Sequence, residues 1–190
     1  MPEATLLGIS GSLRRGSHNT LLLHAAAREL PEGVTLRIYR GLAEVPPYNE
    51  DQDVDRPPAA VARLRQEIAA ADGLLLATPE YNQSIPGQLK NAVDWLSRPI
   101  ATNVLRNKPV AVVGASTGMF GAVWAQAELR KVLAATGARV VEGEVPVGHA
   151  QDRFDDDGRL NEPNLEQALG ELVRALVAEM RPLAGEAAAA

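Results

Sequence analysis

Five short apolar runs punctuate the chain, and each is followed by a stretch whose apolar positions recur every three or four residues. Leu6-Leu7-Gly8-Ile9 leads to a predicted helix from Ser17 to Leu30, and Val34 to Tyr39 to one from Pro58 to Ala71. Gly73 to Ala77 precedes a helix from Pro86 to Leu96, and Val110 to Ala115 precedes one from Phe120 to Thr136. Arg139 to Val145 is the fifth run. The helix after it carries its apolar stripe on Leu165, Leu169, Leu172, Val173, Leu176 and Met180, spacings that keep one face buried. Strands alternating with helices predict a parallel sheet covered on both faces.

The runs also differ in character, which suggests their order. The first, third and fourth are continuously apolar, as central strands buried on both faces should be. Val34-Thr35-Leu36-Arg37-Ile38-Tyr39 alternates apolar and polar, while the fifth run carries Glu142 and Glu144 and ends at Pro146. Those two read as edges, which fits a doubly wound order 2-1-3-4-5. In that order the winding reverses between strands one and three and opens a crevice at their carboxyl ends. The acidic, Pro-containing stretch 39–57 is expected to be a surface excursion with little structure of its own, and 184–190 a frayed tail.

Two loops fall at that crevice. The first is Ser10-Gly11-Ser12-Leu13-Arg14-Arg15-Gly16-Ser17-His18-Asn19, with glycines for tight turns and short donors on Ser10, Ser12, Ser17 and Asn19. It opens into a helix, whose free N–H groups and dipole favour an anion, and Arg14 or Arg15 can add a bidentate contact to a phosphate. The same residues also read as a plain helix capped by Ser17 or Asn19 beside two solvated arginines. The second loop, after Thr78-Pro79, offers Tyr81 to flank a flat ring and backbone groups around Glu80 to Gln83 for its edge, with Asn82 and Ser84 as braces. Its plainer reading is a capped strand-to-helix turn. Trp95, inside the following helix, is expected to pack or to meet another subunit.

Composition removes several classes of function. Without cysteine there is no disulfide, zinc-thiolate site or thiol nucleophile. A net charge of −5 argues against nucleic acid or an anionic membrane as partner. Met1-Pro2-Glu3-Ala4 has no basic n-region and no apolar run nears the ~20 residues of a membrane helix, so a soluble, cytoplasmic protein is expected. The first loop has neither a Gly-Lys-Ser/Thr ending nor G-x-G-x-x-G, which excludes a P-loop and the dinucleotide fingerprint.

At this point two segments carry a family resemblance. Gly11-Ser12-Leu13-Arg14-Arg15-Gly16-Ser17-His18-Asn19, followed by Pro79-Glu80-Tyr81-Asn82-Gln83-Ser84-Ile85-Pro86-Gly87-Gln88-Leu89-Lys90-Asn91-Ala92-Val93-Asp94-Trp95, resembles the NADPH-dependent FMN reductase family. This is a branch of the flavodoxin-like superfamily that includes quinone, azo-dye and chromate reductases. Gly114-Ala115-Ser116-Thr117-Gly118 matches the place of the family's third flavin loop, and the resemblance covers nearly the whole chain.

The resemblance implies a flavodoxin-like α/β fold: a doubly wound, five-stranded parallel sheet of order 2-1-3-4-5 with helices on both faces, in one FMN-binding domain over 1–183. It implies that Ser12, Arg14, Ser17 and Asn19 hold the FMN phosphate, with Ser10, Leu13 and His18 completing that loop. Pro79, Glu80, Tyr81, Asn82 and Gln83 would line the isoalloxazine ring, Gln83 at a position that varies with substrate preference. Ser116, Thr117 and Gly118 would approach the other side of the ring.

Bound FMN would carry the chemistry, so no catalytic side chain is expected. NAD(P)H would visit as a transient co-substrate, and hydride would pass by ping-pong turnover to a quinone, azo compound, free flavin or oxidised metal ion. A homodimer or homotetramer, with the flavin near a subunit boundary and the helix bearing Trp124 at a contact, completes the expectation. A non-catalytic FMN-binding electron carrier or regulatory flavoprotein stays open beside it. Arg14-Arg15 and the modest net charge favour an enzyme.

Three further patterns suggest other chemistry. Gly114 to Gly118 fits the G-x-S-x-G nucleophile elbow, but only His149 follows, and no carboxylate between them is placed to complete a triad. Asp155-Asp156-Asp157-Gly158 lacks the first and twelfth ligands of a calcium loop and reads as a tight turn between Phe154 and Leu160. His18, His24 and His149 have no ligand spacing, and no metal is expected.

Overall fold

The computed structural model describes residues 4–180; the expected tail at 184–190 lies outside the described residues. Its strands are β1 (Ala4–Ser10), β2 (Val34–Tyr39), β3 (Gly73–Thr78), β4 (Pro109–Ala115), β5 (Arg139–Val140) and β6 (Pro146–Val147). The helices are α1 (His18–Arg28), α2 (Ala59–Ala70), α3 (Gly87–Leu96), α4 (Val123–Ala135) and α5 (Pro163–Glu179). All strand pairs are parallel, in the order β2-β1-β3-β4-β5, with β6 also on β4.

The two-residue period of the strands divides their side chains between two cores. Leu7, Ile9, Leu74, Leu76, Val110 and Val112 pack with Val61, Leu64 and Ile68 of α2, Leu89 and Trp95 of α3, and Leu129 of α4. Leu6, Leu75, Ala77, Ala111 and Val113 face the other way, onto Leu22 and Leu23 of α1 and Leu169, Leu172 and Leu176 of α5. Each fully buried leucine stabilises the fold by about 2 kcal/mol. β3 and β4 are buried along their whole length, whereas β2 alternates, as an edge strand should.

The fifth run departs from the single strand expected over 139–145. It pairs with β4 at Arg139–Val140, leaves the ladder, and rejoins β4 at Pro146–Val147. Gly143, at φ 145°, and the outward pairing of Glu144 with Arg130 carry the chain around this detour. Buried Gln126 fills it, donating to the Gly121 carbonyl and accepting from the Val145 N–H.

Residues 39–57 are also more ordered than expected. Two single-turn 3-10 helices, Leu42–Glu44 and Glu50–Gln52, form a strap pinned to α3. Gln88 Nε2 donates to the carbonyls of Leu42 and Val45, and Asn91 holds both the Tyr48 N–H and the Pro46 carbonyl. Trp95, fully buried, donates from Nε1 to the same Pro46 carbonyl and meets Tyr48 edge-on at 4.9 Å. Its role is packing. Arg65 closes the strap through Asp53 at 2.8 Å.

Candidate functional site

β1, β3 and β4 end side by side at Ser10, Thr78 and Ala115, so the loops that follow them meet at one end of the sheet. Between them lies an open crevice of about 220 Å³. That volume is below the ~300 Å³ at which ligand pockets typically begin, so the crevice is shallow and open to solvent.

The first loop is held from below by its own hydroxyls. Ser10 Oγ accepts the Ser12 N–H at 3.3 Å and lies 3.5 Å from Ser17 Oγ. Ser17 is the cap of α1, accepting the Thr20 N–H at 3.3 Å. A Cβ on Gly11 would come within 2.8 Å of Leu89 Cδ2, so any other residue would have to push the Leu89 side chain of α3 aside. Asn19 is buried and turns inward. Its amide donates to the Ala115 carbonyl at 2.9 Å and accepts the Ala115 N–H at 3.0 Å, tying the start of α1 to the end of β4.

The second loop is a two-residue hairpin in which Tyr81 and Ser84 exchange main-chain hydrogen bonds. Its tips, Asn82 and Gln83, both have positive φ, at 54° and 59°, as a turn of this length requires. Two contacts fix the hairpin to α4. Glu80 Oε2 accepts the N–H groups of Trp124 and Ala125, and Ser84 Oγ donates to Glu128 at 2.6 Å.

The third loop is clamped by β6 and the chain that follows it. Ser116 N–H donates to the Val147 carbonyl, His149 N–H to Gly118 and Ala150 N–H to Ser116. Gly148 lies so close that a Cβ would meet the Met119 carbonyl oxygen at 2.2 Å. Ser116 Oγ accepts the Gly118 N–H at 3.1 Å, which closes the turn.

Most of the sequence-predicted residues thus come together. Ser12, Arg14, Ser17, His18 and Asn19 line the crevice on one side, Pro79, Glu80 and Tyr81 on another, and Ser116 and Thr117 with Ala115 on the third. Ser10, Leu13, Asn82, Gln83 and Gly118 do not line it. Ser10 and Gly118 brace the loops from behind, Leu13 stands in solvent, and Asn82 and Gln83 form the exposed hairpin tip.

Two partners were missed by sequence reasoning: the Ala115 main chain for Asn19, and the start of α4 for Glu80. The second had a signal in the sequence, because Gly118-Met119-Phe120-Gly121-Ala122 before α4 offers no Ser, Thr, Asp or Asn to cap it. Asp155 to Gly158 is the expected tight turn, with Phe154 and Leu160 bridged across it.

The first-loop side of the crevice favours an anion. Arg14 and Arg15 are exposed and pair with no carboxylate among the described residues, and the first turn of α1 adds unpaired N–H groups and the positive end of its dipole. His18 has its pKa lowered, first by burial and then by the Arg14 charge. No described helix is long and apolar enough to cross a membrane.

The comparisons agree with this geometry. The family model for NADPH-dependent FMN reductases matches residues 4–152. An NAD(P)H-dependent FMN reductase of Pseudomonas aeruginosa is 42% identical over 96% of this chain and 98% of its own. A 2-hydroxy-1,4-benzoquinone reductase of a Burkholderia species is 42% identical over 80% of this chain and 82% of its own. Among solved structures, the flavoenzyme FerB, an NAD(P)H:(acceptor) oxidoreductase of Paracoccus denitrificans, superposes with a TM-score of 0.81 at 33% identity, covering 93% of this chain and 97% of that one. The chain belongs to the NADPH-dependent FMN reductase family, oxidoreductases with bound FMN as cofactor and NAD(P)H as co-substrate.

Proposed function

We propose that this chain reduces a quinone-class acceptor with electrons from NAD(P)H, in ping-pong turnover through FMN seated in the three-loop crevice. The observation that carries the proposal is the convergence on one open cavity of an anion-favouring loop, an aromatic hairpin and a clamped third loop. The residues present fit FMN. Ser12, Arg14, Ser17 and the first turn of α1 offer hydroxyl, guanidinium and main-chain donors to a phosphate monoester. Tyr81 and the main chain of residues 79–81 and 115–117 flank a flat ring.

The redox chemistry, hydride accepted from NAD(P)H and passed on to the acceptor, is FMN's own. The protein orients the ring and keeps it still. Asn19 locks the first loop to β4, Glu80 locks the hairpin to α4, and the Gly148 segment backs the third loop. The shallow crevice would leave a ring seated there open on one side to two substrates in turn. The 2-hydroxy-1,4-benzoquinone reductase among the relatives supports a quinone as acceptor.

A homodimer or homotetramer fits the rim. Tyr81, Met119, Phe120 and Trp124 are large apolar side chains left exposed on the hairpin and at the start of α4, and Phe120 meets Trp124 edge-on at 5.0 Å. A second copy seated there would shelter them beside the ring. A cytoplasmic location follows the co-substrate.

The deciding experiment is a visible spectrum of the protein with FMN, then anaerobic NAD(P)H, then a benzoquinone. Bleaching by NAD(P)H and recovery with the quinone support the proposal. Flavin that binds without bleaching favours a carrier, and no binding removes the assignment.

A further inference from the structure

His18 is the first residue of α1 and lines the crevice beside Ser12, Arg14 and Ser17. Its ring lies parallel to Phe154 at 6.2 Å and 9°. Nδ1 is shut away from solvent and has no hydrogen-bond partner among the described residues. A shielded nitrogen with no acceptor nearby is a poor place for a proton, so the neutral ring carries its hydrogen on Nε2.

The surroundings all oppose a charged ring. Arg14 faces it from the same loop, and the N-terminus of α1 disfavours a cation. On the segment packed against its other face the contact is Phe154. The charged neighbours of Phe154 are engaged elsewhere: Arg153 pairs with Glu162 at 2.9 Å, and Asp155 accepts the Arg159 N–H at 2.8 Å. No carboxylate is paired with the imidazole among the described residues.

A phosphate dianion entering this loop reverses that balance, because it brings two negative charges within reach of a group held neutral only by burial and like charge. We infer that His18 couples cofactor binding to a proton: the ring is neutral in the free protein and takes a proton from solvent when the FMN phosphate is seated. The inference rests on the assignment of the crevice to FMN. No bond other than the N–H forms, and the proton comes from buffer. With Nε2 already carrying a hydrogen, the added proton goes to Nδ1, and the phosphate charges offset the cost of placing it there.

The sign follows. A basic group whose affinity for protons is higher in the complex makes binding tighter as pH falls through the bound-state value, with the full gain reached below the free-state value. That free-state value lies below the ordinary 6.5. Each unit by which the complex raises it tightens FMN binding up to tenfold.

The test is calorimetric titration of flavin-free protein with FMN near pH 7, in buffers of different ionisation enthalpy. Wild type should take up a fraction of a proton per FMN. His18→Phe, which keeps the stack on Phe154, and His18→Gln, which keeps a polar side chain, should each take up less by that same fraction. Riboflavin, which lacks the phosphate, should evoke no uptake in any of the three. Between pH 8 and 6.5 the FMN Kd of wild type should fall several-fold relative to that of either variant. Equal proton uptake in wild type and a folded variant, or equal uptake with riboflavin, overturns the inference while leaving the FMN site standing. Absence of FMN binding to wild type overturns the site assignment itself, and the inference with it.

Discussion

Glu80 caps a helix to which it is not connected: its Oε2 lies 3.0 Å from the main-chain nitrogen of Trp124, forty-four residues along the chain. The same oxygen accepts the N–H of Ala125 at 3.1 Å. Helix α4 begins at Ala122 in a left-handed conformation with no cap of its own, so a carboxylate from the neighbouring loop meets both its free N–H groups and its dipole. The contact fixes the hairpin carrying Tyr81 against α4. Removing it with Glu80→Ala should cost about 1–2 kcal/mol, the worth of a lost cap plus its charge, and lower Tm by roughly 2–8 °C. Glu80→Gln, which keeps an acceptor, should recover much of that loss. A melt of the Ala variant that coincides with wild type would show that the cap contributes nothing.

Asn19 performs the corresponding task for the first loop. It is buried, and both ends of its amide are committed to the main chain of Ala115. Asn19→Ala leaves a buried N–H and a buried C=O without partners, at about 1–3 kcal/mol for each. Asn19→Asp is the sharper variant, because a carboxylate keeps the acceptor but turns a second oxygen on the Ala115 carbonyl. Both variants should unfold at lower denaturant and bind FMN more weakly, since loops one and three lose their common anchor. FMN affinity equal to wild type in a destabilised Asn19→Ala would separate the anchor from the site.

These two contacts mark where the sequence stops being readable. The contrast between continuously apolar runs one, three and four and the alternating second run disclosed the sheet order, because burial on two faces leaves no choice of residue in β3 and β4. The first and second loops could be located by their glycines, short donors and Pro-started helix. What an amide or carboxylate does once the loops meet depends on positions forty or more residues apart, and local propensity carries no record of that. Asn19 resembles a cap or phosphate donor, and nothing local shows that its amide also ties the loop to Ala115. Stretch 39–57 failed for the same reason. Its prolines and acids look solvated, but Gln88, Asn91 and Trp95 supply donors to its carbonyls from α3. The split of the fifth run depended on Gln126, a polar residue whose burial no local pattern announced.

Arg14 stands in the crevice without a carboxylate partner among the described residues, which makes it the first-loop side chain best able to neutralise a phosphate. A charge-assisted hydrogen bond contributes about 1.5–3 kcal/mol. Arg14→Ala should therefore raise the FMN Kd by roughly 10- to 100-fold, and Arg14→Lys by less, since an ammonium keeps the charge but not the fork. Riboflavin affinity should be the same in all three proteins. Fluorescence quenching of each flavin reads both constants directly. An unchanged FMN Kd in the Ala variant removes Arg14 from the phosphate site.

Acid stability of the flavin-free protein provides an independent view of His18. Burial, and then Arg14, lower its proton affinity in the folded chain below the 6.5 of an unfolded one. Between those two values the unfolded chain binds more protons than the folded chain, so stability falls as pH drops from about 6.5 through the folded-state value. His18→Phe has no such group and keeps an aromatic ring against Phe154. The loss of stability between pH 7 and pH 5 should therefore be smaller in the variant than in wild type, while the change between pH 8 and pH 7 should be nearly the same in both. Urea midpoints at the three pH values measure the difference, and parallel acid losses in the two proteins would mean that the ring is charged in the folded chain as readily as in the unfolded one. With FMN bound the wild-type dependence should weaken, because the phosphate then favours the proton that the free site resists.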